Sequence, residues 1–218
     1  MYAKLAGLST AAILTATSGI AATNATATTD LNLRAGPAPT AEILDVIPGE
    51  EMVSVEQCAE ALKWCKVSFD GTEGWAYAPY LTASLDQEQE PVVVYDNITA
   101  LDIETVDANE DRRDATAVAG GVTAGALAMS LIGGPAAVAG GILLGTAAGA
   151  ASVPEDTVTY VTEHPVEPVY LNGEVAVGAG IPEGVTLAQI PESDYRYAYV
   201  NGNRVLVDTD RQIVHVVR

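Results

Sequence analysis

Few residues in this chain are of a type that does chemistry. Two cysteines, Cys58 and Cys65, sit in "VSVEQCAEALKWCKVSF". Such a pair offers a structural disulfide, a catalytic thiol or part of a metal site. The last two uses need histidine close by in space, and His164 and His215 are both far away in sequence. In an oxidising compartment the even cysteine count points to a disulfide, worth roughly 2–2.5 kcal/mol for so short a loop in the chain-entropy picture. Four aromatic residues lie nearby, Trp64 between the two cysteines and Trp75, Tyr77 and Tyr80 after them. Trp64 is expected in a core. Trp75, Tyr77 and Tyr80 divide evenly between barrel core and a ligand groove, and they are the ligand-binding candidates, since aromatics anchor interfaces.

Other chemistry is missing from the sequence. There is no G-x-S-x-G, and the Gly-rich runs lack the Gly-Lys-Ser/Thr ending of a phosphate loop. "DANEDR" opens like a calcium loop, with Asp107, Asn109 and Asp111 at positions one, three and five. The glycine required at the sixth position is Arg112, and the glutamate required at the twelfth is Val118. No catalytic residue, metal site or cofactor is therefore expected, and the chain reads as a non-enzyme. With 29 acids against 10 bases the formal charge is -19, which repels phosphate backbones and argues against nucleic acid.

The elements that hold these residues are mostly strands. The N-terminus, "MYAKLAGLSTAAILTATSGIAATNA", has Lys4, a short apolar run and small residues at Gly19-Ile20-Ala21. That is the pattern of a signal peptide over residues 1–22, cut near Ala21 or Ala22. No cysteine lies near the cut, so no lipid anchor is expected there. Over 28–83, Leu31 and Leu33 alternate onto one face, Pro48-Gly49 turns into a strand from Met52 to Cys58, and Asp70-Gly71 makes a hairpin. Short strands with close turn punctuation predict a small barrel. Residues 154–218 are again rich in strand formers. Tyr195, Tyr197 and Tyr199 share a face, Asn201-Gly202 turns the chain, and Val205 and Val207 return it. A further turn at Asp208-Thr209-Asp210 completes a three-stranded meander.

Both β regions resemble known families. Asn32, Leu33, Arg34, Gly36 and Pro37 open the first, Gly49 marks its turn, and Trp64, Val67, Gly71, Gly74, Trp75, Tyr80 and Leu81 follow. This pattern resembles the bacterial SH3 (SH3b) family over about a quarter of the chain. Cys65 after Trp64 departs from the pattern, and the resemblance gives it Cys58 as its mate. SH3b domains bind cell-wall peptides or protein segments, so the resemblance implies a binding module. The C-terminal stretch has Pro182, Val185, Leu187, Pro191, Tyr197, Tyr199, Asn201, Gly202, Val205, Val207, Asp208, Ile213 and Val214. It resembles DUF1236, a domain found in exported proteins of Gram-negative bacteria, which implies a layout but no activity.

Between them lie two unlike segments. Residues 84–114 carry ten acids against Arg112 and Arg113 and read as a solvated acidic linker, with one strand over Pro91 to Tyr95. Residues 115–153 carry no charge, and Gly133-Gly134-Pro135 breaks them into two arms. Gly121 and Gly125 in one arm, and Gly141, Gly145 and Gly149 in the other, recur every four residues along one helix side. Such spacing lets helices approach closely, and an arm of about 27 Å falls just short of a ~30 Å hydrocarbon layer. A glycine-zipper-like helical hairpin is expected, suited to membrane contact or to homo-oligomer formation. A flexible Gly/Ala linker is the competing reading.

The expected fold is mainly β: a small SH3-like barrel and a C-terminal β-meander domain, separated by the acidic linker and a Gly/Ala-rich α-helical hairpin. The expected protein is exported to the periplasm or cell envelope, where the barrel binds peptidoglycan peptide or an envelope protein. The alternative is a membrane-associated or self-assembling protein acting through the hairpin.

Overall fold

The computed structural model describes residues 22–60, 62–85, 90–118 and 153–218. The five hairpin glycines lie outside these residues, as does almost all of the expected signal peptide.

The N-terminal region forms β1 (Thr23–Ala27), β2 (Leu31–Arg34), β3 (Ile43–Ile47), β4 (Met52–Ala59), β5 (Trp64–Phe69), β6 (Thr72–Tyr77) and β7 (Leu81–Ala83), with a 3-10 turn at Ala78–Tyr80. Two more strands, β8 (Val92–Val93) and β9 (Glu104–Val106), complete a nine-stranded sheet in the order β3-β2-β6-β5-β4-β1-β7-β8. β9 runs parallel to the last residues of β4, while β1 pairs with its first half. Period-two alternation sends Leu31, Leu33, Val53, Val55 and Val67 into the core, each at 2% exposure or less. Asp70 and Gly71 both take positive φ, 47° and 82°, as the tight hairpin between β5 and β6 requires.

Two boundaries differ from expectation. The barrel begins at Thr23 rather than at residue 28, because β1 is needed to join β4 to β7. Residues 84–114 are not a freestanding solvated linker. They supply β8 and β9, and Val94, Ile103 and Ala108 are buried against the barrel. The ten acids set the composition of that segment, but a few apolar side chains at the right spacing set its path. It continues into α1 (Asn109–Val118), which crosses the expected linker–hairpin boundary. The Asp107 carboxylate accepts the Asn109 amide at 3.0 Å, and Glu110 and Asp111 favour the helix N-terminus.

The C-terminal region opens with α2 (Glu155–Glu163), a helix not foreseen among so many strand formers. Pro154 precedes it and Glu155 and Asp156 fill its first turn, which suits a helix start. β10 (Pro168–Val169), β11 (Ala188–Gln189), β12 (Arg196–Val200), β13 (Asn203–Val207) and β14 (Ile213–Val217) form a five-stranded sheet. β12, β13 and β14 are the expected meander, and β10 and β11 share the free edge of β12. Alternation divides the core in two. Leu206 and Tyr197 face Val161 of α2, and Val205, Val207 and Val200 face a covering loop that brings Leu171, Val175 and Ile181.

Candidate functional site

The sequence candidates are placed mostly in core. Cys58 and Cys65 are register partners across β4 and β5, are disulfide-bonded, and are both fully buried. The thiol and metal-ligand alternatives for them therefore close. Trp64 is 3% exposed, as expected of a core residue. Trp75 and Tyr80, for which core and groove were equally open, are 5% and 2% exposed and take the core alternative. Trp75 packs with Trp64, Ala59 and Ala108, the last contributed by the unforeseen segment after β9. Tyr77 alone of the three is half-buried, edge-on to Trp64 at 5.3 Å and tilted against Tyr80 at 5.9 Å. Burial raises the Tyr77 and Tyr80 phenols above their ordinary range, and the Glu174 carboxylate raises both further.

That influence of Glu174 leads to the densest polar cluster on the described residues. Glu174 belongs to the C-terminal region, yet its side chain is fully buried against the barrel. Arg34, at the end of β2 and opposite Trp75 in register, meets it with a forked grip. Arg34 Nε donates to Glu174 Oε2, and Arg34 Nη2 donates to Oε1 at 2.9 Å. Asn32 Nδ2 donates to the same Oε1 at 3.0 Å, as does the Val175 amide at 2.7 Å. Arg34 spends its remaining reach on the carbonyls of Ala41 (2.8 Å) and Asn201 (2.9 Å). A planar guanidinium suits this arrangement because its donors are fixed in a fork.

Local structure explains why these groups meet. Leu31 and Leu33 point into the barrel core, so Asn32 and Arg34 must point out of it, and both are nonetheless buried. The covering surface is the Asn201-Gly202 turn together with the loop that follows β10. Asn201 takes φ 49° and Gly202 φ 85°. The Asn201 side chain accepts the Leu171 amide at 2.8 Å and donates to the carbonyls of Leu171 (3.0 Å) and Gly173 (3.1 Å). This shapes the loop that delivers Glu174. Two residues further on, Ala176 joins the barrel's own apolar core. A cleft of about 220 Å³ runs beside Arg34, lined by Thr40, Ile43, Tyr170 and Gly202. A second depression of about 440 Å³ lies between Glu60 and the turn at Tyr95–Asn97.

In the sequence Asn32, Arg34, Asn201 and Gly202 complete separate local patterns, and no local pattern says that they meet or that Glu174 joins them. The available signal was a lone acid in the otherwise uncharged "VYLNGEVAVGAGIP" and a lone base in "LNLRAG". His164 stacks on Tyr160 at 4.0 Å and accompanies the end of α2, and His215 stands in β14. Among the described residues no group of His, Cys, Asp and Glu is placed to hold a metal ion.

Residues 29–82 match the family described as Bacterial SH3 domain, and residues 160–218 match Domain of unknown function (DUF1236). Both resemblances drawn from the motifs hold, and the mainly β fold class holds with them. No curated protein matches the chain. Among solved structures, NlpC2 from Trichomonas vaginalis is 14% identical, with 32% of this chain and 26% of that chain covered at a TM-score of 0.27. NlpC1 from the same organism is 16% identical, with coverage of 32% and 24% and the same TM-score. The chain thus spans about a quarter of the length of these two proteins. So slight a likeness says nothing about activity.

Proposed function

We propose that this is an exported, non-enzymatic cell-envelope protein whose barrel binds a peptidoglycan peptide or an envelope protein. The observation that carries this reading is the bacterial SH3 match over residues 29–82, on a barrel whose two cysteines are committed to a disulfide. Bacterial SH3 domains are binding modules of the cell envelope. Two features support export. A buried disulfide belongs to an oxidising compartment. The expected cleavage near Ala21 or Ala22 also falls just before Thr23, where β1 starts, so the barrel survives the cut intact.

Incubating the mature chain with purified sacculi tests the reading. Retention that soluble wall peptides compete away is the expected result. Free passage through sacculi, together with no envelope protein recovered by cross-linking in cells, overturns it. The hairpin alternative rests on the spacing of Gly121, Gly125, Gly141, Gly145 and Gly149. Among the described residues no helix is long and apolar enough to cross a membrane. Alkaline washing of a membrane fraction tests that alternative, and complete release of the chain removes it.

A further inference from the structure

We propose that Asn32 and Arg34 form a carboxylate-recognition site on the barrel, that Glu174 fills this site in cis, and that a carboxylate-bearing peptide from outside occupies it by displacing Glu174. The proposal rests on the barrel being a binding module and names the ligand chemistry it selects.

The geometry is that of a receptor and an inserted peptide. Arg34 and Asn32 converge on one carboxylate, and the adjacent Val175 amide turns toward the same oxygen. The chain on either side continues the contact, with Leu171 and Val175 held by the C-terminal core and Ala176 by the barrel core. Arg34, which holds the loop's carboxylate, is the register partner of Trp75 across β2 and β6.

The resident is an incomplete fit. Asn32 Oδ1 is buried without a hydrogen-bond partner. A carboxylate has only acceptors, so Glu174 cannot satisfy that oxygen. The N–H beside the resident carboxylate, that of Val175, is spent on Glu174 Oε1, so an outside ligand that carries a carboxylate and a second donor directed at Asn32 supplies both. The cleft of about 220 Å³ along Arg34 leaves room for the residue next to the carboxylate. Exchange of one carboxylate for another also avoids stranding a buried guanidinium, which is the costly way to open such a pair. What favours Glu174 is its tether, since an attached ligand acts at high effective concentration.

The test uses the full chain and a synthetic octapeptide, Leu-Asn-Gly-Glu-Val-Ala-Val-Gly, which copies residues 171–178 and is blocked at both ends so that the glutamate carries its one carboxylate. Titration calorimetry should find the octapeptide bound about 100-fold more tightly by Glu174→Gln than by the unaltered chain, the scale by which tethering multiplies affinity. The octapeptide with Gln in place of Glu should bind neither. Equal binding of the glutamate peptide by both proteins overturns the proposal. Should Glu174→Gln fail to fold, the unaltered chain still decides. Millimolar octapeptide should speed hydrogen exchange at the Val175 amide, and unchanged exchange there overturns the proposal. The sacculus experiment separates the two readings. Octapeptide capture with no retention on sacculi leaves the site and removes the wall as its target. Retention on sacculi without octapeptide capture does the reverse.

Discussion

Two hairpins in this chain are written with nearly the same local signal and are put to different uses. Asp70-Gly71 joins β5 to β6, and Asn201-Gly202 joins β12 to β13. Their backbones agree closely, with φ of 47° and 82° at the first and 49° and 85° at the second. At the first, a side-chain carbon built on Gly71 would meet nothing within 4 Å. At the second, Asn201 is fully buried, and the same construction on Gly202 would stand 3.7 Å from Ile43 of the barrel. The first turn ends a ribbon in solvent. The second turn is the surface by which one sheet docks on the other. A turn signal fixes the path of the backbone and carries no information about what will cover it. The difference in side chain is chemical: Asp can only accept, whereas Asn donates and accepts at once, and Asn201 does both.

The strongest way to break the docked turn is to remove its cargo. Glu174→Ala leaves Arg34 buried and unpaired, and should cost about 3–5 kcal/mol in urea unfolding. A loss below about 1 kcal/mol would mean that the sheets separate freely and that Arg34 hydrates. Next in size is an exchange of the two turn residues. Asn201→Asp withdraws the donors to the Leu171 and Gly173 carbonyls and sets a carboxylate against them, for about 3 kcal/mol. Asp70→Asn changes an exposed ribbon tip and should stay within about 0.5 kcal/mol. Equal effects at the two sites would contradict the distinction drawn between them.

These same residues mark how far the sequence could be read. Alternation gave Leu31 and Leu33 their inward face, and the Asp-Gly and Asn-Gly pairs gave both turns, because each depends only on near neighbours. The partner of Arg34 lies 140 positions away, and no local rule connects them. The linker misreading has a related cause. Val94, Ile103 and Ala108 are few among ten acids, so composition pointed to solvent while three buried side chains decided the fold. Trp75 and Tyr80 show the converse. Aromatics near a strand end can serve a core or a groove, and for Trp75 the choice depends on Val106 of β9 and on Ala108 just after it, which local patterning did not foresee.

A smaller effect sharpens the comparison of the two glycines. Gly71→Ala and Gly202→Ala each place a Cβ at positive φ, at a cost of about 1 kcal/mol. The Ile43 contact at 3.7 Å is ordinary packing and should add little at Gly202. Thermal unfolding should therefore rank the two variants together. An excess above about 1 kcal/mol at Gly202 would show that the docked surface cannot yield.

The smallest effect at neutral pH is one that appears only in alkali. Burial holds the Tyr80 phenol well above the ordinary tyrosine range, with Tyr77 and Glu174 adding to the shift. Tyr197, in the other sheet, is raised by burial and by Tyr160. A folded-state value above the unfolded value of about 10 leaves stability complete below pH 10. Above that, the unfolded chain ionises first and stability falls as pH climbs toward the folded value. Tyr80→Phe should flatten this fall more than Tyr197→Phe, since burial raises the Tyr80 phenol the further of the two. The slope is the quantity to compare, because the Phe substitutions also change the level through lost hydroxyl contacts such as Tyr197 to the His164 carbonyl. Glu174→Gln then links the alkaline slope to the docked turn. If the loop carries its charge to the barrel aromatics, the Gln variant lowers the Tyr80 contribution and leaves that of Tyr197 unchanged. Equal change in both slopes would show that Glu174 acts on overall stability rather than through its charge on the Tyr80 phenol.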